Sequence, residues 1–195
     1  MISQIIMLHN FPINPGKEIS NAFLERGITD FSSALIYVQD LPYGRNTDRG
    51  NPILVLKEQA GTCSTKHTLI KLLADENEKP EVKLMMGIFK MNEQNTKKVK
   101  PVLEKYNLEY IPEAHSYLKI GNKVVDITKR SFANTLFLHD LMEEEEIIPA
   151  QIGSYKVARH KEFLTNWLDT NKQIPYHLHD LWSIREECIE TLSIK

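Results

Sequence analysis

The sequence predicts an α+β fold, because its strand-like segments lie together in the middle of the chain and its helix-like segments lie towards both ends. The apolar segment 82–91 is typical of a buried strand. The segments 115–120 and 124–127 indicate two further strands joined by a short turn. Amphipathic patterns over 14–40 and 154–193 indicate helices. This order differs from the regular alternation of strands and helices that builds a parallel sheet.

Composition is that of an ordinary globular protein of 195 residues, with 24 Lys+Arg against 26 Asp+Glu and 42% hydrophobic residues. A net charge of −2 argues against an electrostatic nucleic-acid binder, which normally carries a strongly basic face. No apolar window approaches the roughly 20 residues that span a bilayer, and the first apolar run is too short for a secretory signal. We therefore expect a single domain over 1–195, located in the cytoplasm, with no membrane partner.

Two helices are predicted in the N-terminal region. Asn14 followed by Pro15 is typical of an N-cap and a first helical position, and Thr29 is the expected N-cap of the second helix. The stretch 41–52 is rich in Pro, Gly, Asn and Asp, which indicates a long loop of the kind that often carries function. The next residues, 53–56, fit a strand or a helix end equally well.

Further helices are predicted along the rest of the chain. One begins at Cys63 and ends in the polar stretch 75–80, and a short one covers 97–106. Residues 143–146 are four consecutive Glu, which we expect to form a solvated helix face or a loop. The last two helices are expected at 154–170 and 178–192.

Cys63 stands at the beginning of a predicted helix, directly after the small residues Gly61 and Thr62. The unpaired N–H groups and the positive end of the helix dipole favour an anion there. This placement can lower the pKa of a thiol from its usual value of about 8.5. Nearby backbone N–H groups can also hold an acyl oxyanion. We expect Gly61 to let the backbone approach a substrate closely, and Cys63 to be a nucleophile.

A nucleophilic thiol needs a base, and the base needs an orienting group. His115 begins the strand HSYLKI, and Asp126 lies on the next strand, VVDI, across a short turn. Adjacent antiparallel strands can bring these two side chains together on one face. A hairpin centred on Asn122 puts residues 118 and 126 opposite each other, so we expect a slightly asymmetric or bulged hairpin.

These motifs resemble the transglutaminase-like core of the papain-like cysteine enzymes. In that family a cysteine opens a helix, a histidine followed by an aromatic residue lies on a strand, and an aspartate stands shortly before Pro or Thr. Here the motifs are Gly61-Thr62-Cys63, His115-Ser116-Tyr117 and Asp126-Ile127-Thr128, in the same order, and the resemblance covers residues 53–128. It implies an α+β fold in which the cysteine helix packs on a small antiparallel sheet with flanking helices.

The resemblance also implies a mechanism. Cys63 would attack a carbonyl carbon, His115 would carry the proton to the leaving amine, and Asp126 would hold the imidazole tautomer. A thioester acyl-enzyme then leads to amide hydrolysis, transamidation or acyl transfer. Gln59, upstream of the cysteine at a spacing unlike that of the papain-type Gln, is the candidate for a second oxyanion donor. Ser64 follows the cysteine where many relatives carry an aromatic residue.

Other residues are candidates for supporting roles. Tyr43 and Arg45 in the long loop are expected to line a substrate groove, with Arg45 binding a carboxylate, although a well-packed Ω-loop explains them equally well. His67 lies one helical turn after Cys63, so it either assists the thiol or is a polar residue of the cleft. Cys188 lies in the amphipathic last helix and is expected to fill space in the core or at the surface.

We therefore expect a cysteine-dependent hydrolase or acyl or amine transferase that acts on an amide of a small molecule, a peptide or a protein. One alternative is a non-catalytic module that binds a peptide or small molecule on the same fold. A weaker alternative is a metal-binding protein that uses Cys63, His67 and His115, and the isolated pair His177 and His179 is a weak zinc motif. The expected enzyme needs no metal and no organic cofactor.

Overall fold

The computed structural model describes residues 9–129 and 135–193 of the chain. The described part contains seven α-helices and one four-stranded antiparallel sheet, which confirms the predicted α+β class. The helices are α1 (Glu18–Leu24), α2 (Phe31–Asp40), α3 (Leu54–Glu58), α4 (Cys63–Glu76), α5 (Lys100–Lys105), α6 (Ser154–Thr170) and α7 (Leu178–Ser193). The strands are β1 (Val82–Met91), β2 (Ile111–Ile120), β3 (Lys123–Val125) and β4 (Leu141–Ile147). Short 3₁₀ segments cover Lys97–Val99, Leu136–Asp140 and Pro149–Ile152.

β1 lies inside the sheet, whose strand order is β3-β2-β1-β4. It pairs with β2 over its whole length, from Val82 opposite Ile120 to Met91 opposite Ile111. The predicted strand over 82–91 is confirmed. β2 begins at Ile111 rather than at the predicted His115, because the residues before the histidine pair with the end of β1.

Hydrophobic side chains fill the space on both faces of the sheet. In one cluster the four helices α1, α2, α3 and α4 pack against one face of the sheet. This cluster includes Phe23 and Leu69. The second cluster joins α5, α6 and α7 with the other face and includes Phe89 and Trp167. β1 is buried at nearly every position because both of its faces are covered.

α1 starts at Glu18 rather than at the predicted Pro15. The carboxylate of Glu76, at the end of α4, accepts hydrogen bonds from the backbone N–H groups of Ile19 and Ser20 at 2.9 and 2.6 Å. A distant side chain therefore satisfies the free donors of this helix, in place of the expected local N-cap.

Asp30 rather than Thr29 caps α2, so the predicted cap is wrong by one residue. The Asp30 carboxylate accepts a hydrogen bond from the Ser33 N–H at 3.0 Å. The Thr29 carbonyl accepts a hydrogen bond from the Ile13 N–H at 2.9 Å, which ties this residue to the preceding segment. The open assignment at 53–56 is resolved as the beginning of a helix, because Ile53 is the N-cap of α3 and the next three residues belong to it.

The four consecutive Glu residues 143–146 lie in the edge strand β4, which corrects the prediction of a helix face or a loop. The backbone of β4 pairs with β1. The carboxylates pair with Lys83 on the adjacent strand β1, with Lys119 on β2 and with Arg159 on α6. These cations come from distant parts of the chain, so the run of like charges carries no local signal for a strand.

α6 and α7 confirm the two helices predicted at 154–170 and 178–192. Their apolar faces are buried in the second cluster, through residues such as Leu164 and Leu181. Across the two described stretches, no helix combines the length and the apolar character that crossing a bilayer requires.

Candidate active site

Cys63 is the first residue of α4, as predicted, and the local sequence builds this helix N-terminus. The Thr62 side chain accepts a hydrogen bond from the Thr65 N–H, and the Thr65 hydroxyl accepts one from the Thr62 N–H at 3.0 Å. The first helical N–H groups remain without an intrahelical partner. Gly61 serves internal packing rather than substrate approach, because a Cβ there would lie 2.8 Å from Lys66 Cγ.

His115 and Asp126 meet across the hairpin of β2 and β3. His115 Nε2 lies 2.8 Å from Asp126 Oδ2. The imidazole also lies beside the Cys63 thiol, close enough for each group to shift the pKa of the other. The structure therefore brings together the three residues that the sequence nominated as catalytic.

The register of this hairpin differs by one residue from the expected one. Leu118 pairs with Val125, so the turn contains only the two residues Gly121-Asn122. Gly121 adopts a φ of +57°, a left-handed conformation that glycine accepts without strain. Asp126 lies directly after β3 rather than within a strand, and β2 and β3 pair without a bulge.

Asp126 is a buried carboxylate held in its ionised form. Burial raises its pKa, but His115, His67 and a hydrogen bond from Thr128 outweigh burial and hold the pKa well below its usual range. The Thr128 N–H and hydroxyl donate to Oδ1 at 2.8 and 2.6 Å. The carboxylate therefore keeps its negative charge against the imidazole of His115.

His67 bridges the beginning of α4 and the segment that carries Asp126. Its Nδ1 donates to the Cys63 carbonyl at 2.6 Å, and its Nε2 accepts from the Ile127 N–H at 2.8 Å. Burial lowers its pKa to about 4, so the ring is neutral at pH 7. Because both ring nitrogens are engaged, His67 ties the beginning of α4 to the segment that carries Asp126. It is neither a base for the thiol nor a metal ligand, which corrects those interpretations.

Replacing His67 with glutamine should weaken the pH dependence of stability. The pKa of His67 is about 4 in the native state against 6.5 for an ordinary histidine, so between these pH values the unfolded state binds a proton that the native state excludes. The free energy of unfolding should therefore decrease as the pH is lowered from 6.5 to 4, with about 3 kcal/mol attributable to this residue. Urea unfolding at a series of pH values measures the effect.

The control is His179→Gln, at a histidine whose side chain is 93% exposed. His160, whose pKa is also lowered by burial, contributes in the same direction in every variant. Parallel curves for the wild type and His67→Gln would contradict a neutral buried His67.

A buried lysine that the sequence analysis did not nominate lies beside the thiol. Lys156, in the first turn of α6, is 8% exposed, and its Nζ donates to the hydroxyls of Ser64 and Ser116 at 2.8 and 2.9 Å. Nζ lies 3.9 Å from Cys63 Sγ. No local pattern predicts this contact, because Lys156 follows Cys63 by 93 residues. Only the packing of α6 determines which lysine of the chain lies beside the thiol.

Positive charges on two sides make the Cys63 thiol acidic. Burial raises its pKa, but Lys156 and His115, with a hydrogen bond from the Ser116 N–H, outweigh burial and lower the pKa to about 6. Burial lowers the pKa of His115, but Asp126 and Cys63 together raise it to about 10. A thiolate and an imidazolium are therefore the favoured forms at pH 7.

Two cavities of about 400 and 450 Å³ meet at Cys63. The first is lined mainly by polar and charged groups, among them Arg45, Lys156 and Arg185. The second holds the His115 and Asp126 pair and apolar side chains, among them Phe89, Phe137 and Leu192. The thiol thus stands at the junction of a charged and a more apolar half of one cleft.

Of the three residues predicted to bind substrate, Tyr43 and Arg45 lie at the cleft and Gln59 does not. Tyr43 lines both cavities. Burial and the charge of Cys63 raise the pKa of its hydroxyl, which therefore keeps its proton. Arg45 lines the first cavity and pairs with a carboxylate of α7. Gln59 lines neither cavity, and its amide donates to a backbone carbonyl of α3 at 2.6 Å.

An ion pair fastens α7 to β2 at the wall of the cleft. Arg185 Nε and Nη2 donate to the two carboxylate oxygens of Glu113 at 2.7 and 2.5 Å. Burial raises the pKa of Glu113, but the charge of Arg185 outweighs burial and lowers it. The C-terminal helix α7 therefore contributes to the cleft.

The alternative metal interpretation finds no support in the described part of the chain, where no three His, Cys, Asp or Glu side chains are arranged to hold a metal ion. Cys188 is buried in the second hydrophobic cluster, as predicted. Burial raises its pKa to about 12, so its thiol is a poor nucleophile.

Comparisons with known proteins identify no relative of this chain. No protein-family model matches the chain, and no match was found among curated proteins or solved structures. What the cleft does is therefore inferred from its own residues.

Proposed function

We propose that the protein carries out cysteine-dependent acyl chemistry on an amide substrate, as a hydrolase or an acyl or amine transferase. The observation that carries this proposal is the arrangement of Cys63, His115 and Asp126. An acidic thiol at a helix N-terminus lies beside an imidazole that a buried carboxylate holds at 2.8 Å. Such a nucleophile, base and orienting group form the triad of covalent acyl transfer.

In the proposed reaction the Cys63 thiolate attacks the carbonyl carbon, and the electron pair of the C=O bond moves to the oxygen. When the tetrahedral intermediate collapses, the C–N bond breaks and the His115 imidazolium gives its proton to the leaving amine. This leaves a thioester on Cys63 and a neutral imidazole. The neutral imidazole then takes a proton from water or from an acceptor amine, which attacks the thioester and releases the acyl group.

The same arrangement supports a transglutaminase-like, papain-like core over residues 53–128. The cysteine opens a helix, α4, that packs on an antiparallel sheet. The histidine lies on β2 and the aspartate directly follows β3. The order of these elements along the chain is the one that the resemblance implies.

The two halves of the cleft favour an amide that continues on both sides of the reacting carbon. Cys63 has a cavity on either side, and together the cavities have room for the small molecule or peptide segment that we propose as substrate. A peptide or a small amide with groups on both sides of its C–N bond fits this arrangement.

Iodoacetamide should alkylate Cys63 much faster than Cys188, with a rate that rises as the pH passes through about 6. The physical reason is that the thiolate is the reacting form, and only Cys63 has a lowered pKa and an open cleft. Peptide mapping by mass spectrometry of Cys63→Ala and Cys188→Ala proteins measures the two rates separately. Equal, slow labelling of both thiols at neutral pH would contradict the proposal.

The Cys63→Ala variant also distinguishes an enzyme from a binding module on the same cleft. For any amide that the protein turns over, Cys63→Ala should bind it and leave it intact. A ligand that binds equally to both proteins and is never converted by the wild type would favour the binding module.

A further inference from the structure

The proposed reaction so far has no side-chain donor for the oxyanion, which backbone N–H groups, side chains or both stabilise in acyl transfer. Gln59, the candidate from the sequence, donates to the Leu56 carbonyl and lines neither cavity at the thiol. The backbone N–H of Cys63, at the start of α4, can supply one donor. A second donor has to lie close to the sulfur and on the side of the cleft away from the histidine.

Lys156 occupies that position. Its Nζ is 3.9 Å from Cys63 Sγ. The oxygen of a tetrahedral adduct is two bonds from the sulfur, so this ammonium is within reach of the distance of about 2.7–3.1 Å at which donors stabilise an oxyanion. The hydroxyls of Ser64 and Ser116 hold Nζ at 2.8 and 2.9 Å, which fixes the donor before a substrate arrives.

The two cavities separate the groups that act on the two sides of the reacting carbon. Lys156 lines the first cavity together with Cys63, whereas His115 lines the second cavity together with Cys63. A carbonyl oxygen directed into the first cavity places the leaving group towards the imidazole. The oxyanion and the departing amine therefore face different donors.

The charges around Lys156 leave it available to an anion at the reacting centre. Within the part of the chain that the structure describes, the ammonium contacts two neutral hydroxyls and the sulfur and forms no ion pair with a carboxylate. Glu113, on the same wall, is engaged by both arms of the Arg185 guanidinium. During attack the negative charge moves from sulfur to oxygen, and Lys156 remains beside it throughout.

We infer that Lys156 is a catalytic residue whose ammonium donates a hydrogen bond to the oxyanion formed on attack by Cys63. The inference rests on the proposed acyl chemistry. In the attack the S–C bond forms and the C=O electron pair moves to the oxygen facing Lys156. In the collapse that pair returns, the bond to the leaving group breaks, and His115 supplies the proton. Lys156 keeps all its protons.

Two reagents separate this role from the effect of Lys156 on the thiol pKa. Acylation of Cys63 by p-nitrophenyl acetate passes through an oxyanion, whereas alkylation by iodoacetamide does not. Both rates are measured on the same proteins, at a pH above the thiol pKa of each variant. Release of p-nitrophenol and the mass of the Cys63 peptide report acylation, and the Cys63→Ala protein gives the background.

Lys156→Met should lower the acylation rate about a hundredfold and leave the alkylation rate within about threefold of wild type, because only acylation loses a donor. The acylation rate of Lys156→Gln should lie between those of the wild type and Lys156→Met, since an amide N–H is a weaker donor at the same place. Lys161→Met, an exposed lysine of the same helix outside both cavities, should leave both rates unchanged.

The outcomes distinguish this inference from the proposed function. If wild-type Cys63 is neither alkylated nor acylated faster than Cys188, the proposed acyl chemistry itself is wrong. If the wild type reacts with both reagents but Lys156→Met and Lys156→Gln keep its ratio of acylation to alkylation, Lys156 does not serve the oxyanion. Equal losses of both reactions in both variants would make Lys156 a positioning residue and would also overturn the inference.

Discussion

His115→Ala is expected to lower acyl transfer from an amide by about a thousandfold, within the range found for loss of a general acid–base group. The imidazole lies beside the thiol, and it lines the half of the cleft proposed for the leaving amine. The same change removes a positive charge from beside Cys63, so the pKa of the thiol should rise from about 6 towards its ordinary value. The turnover rate and the pH profile of iodoacetamide alkylation measure the two effects.

The two readouts have different sensitivities. Above the new thiol pKa, the alkylation rate of His115→Ala should return close to the wild-type plateau, whereas amide turnover should stay low because the leaving amine lacks its proton donor. His179→Ala, at an exposed histidine outside both cavities, is the control. Amide turnover within threefold of wild type after His115→Ala would show that the imidazole is not the proton carrier.

Arg185→Met is expected to lower the free energy of unfolding by about 3–5 kcal/mol, the cost of leaving a buried charge without its partner. The Glu113 carboxylate is 7% exposed and the Arg185 side chain 15%, and two hydrogen bonds join them. Without the guanidinium, the carboxylate of Glu113 either remains charged in a largely buried position or takes up a proton. Urea unfolding at pH 7 measures the loss.

Two further variants of this chain test whether the unpaired charge of Glu113 causes the loss of stability. Lys83→Met breaks an exposed pair with Glu146, in which both side chains are about half exposed, and should cost less than about 1 kcal/mol. The double variant Glu113→Gln with Arg185→Met should recover much of the stability, because no buried charge is left unpaired. A double variant as unstable as Arg185→Met would indicate that lost packing against the Trp182 ring, rather than the orphaned charge, is responsible.

The parts of the site that were predictable are those built by short stretches of chain. Thr62 caps α4 through contacts with its own next turn, so Cys63 could be assigned to a helix N-terminus. His115 and Asp126 flank one hairpin, and a tight turn brings such residues together whatever the rest of the fold does. The predicted register was one residue off because the exact turn length depends on Gly121 adopting a left-handed conformation, which the residue type permits but does not require.

The remaining parts depend on partners that lie far away along the chain. The spacing of lysines in the sequence cannot reveal that Lys156 is buried. Its burial depends on two hydroxyls and a thiolate from α4 and β2. His67 is similar, because its role as a bridge requires the Ile127 N–H on another element. The four Glu of β4 are a strand only because β1 offers backbone partners and three cations neutralise the edge.

From the order of its residues alone, this chain is recognisable as an α+β protein, and its sequence nominates a cysteine, a histidine and an aspartate for the acyl chemistry that we propose. Hydrophobic periodicity, capping and turn formation act over a few residues, and so they leave a readable pattern. Three-dimensional packing decides the rest. It determines which charges are buried, which side chain lies beside the thiol and which helix forms a wall of the cleft. A buried charge is tolerated only where opposite charges or hydrogen-bond partners surround it, and here those partners come together only when the whole chain has folded.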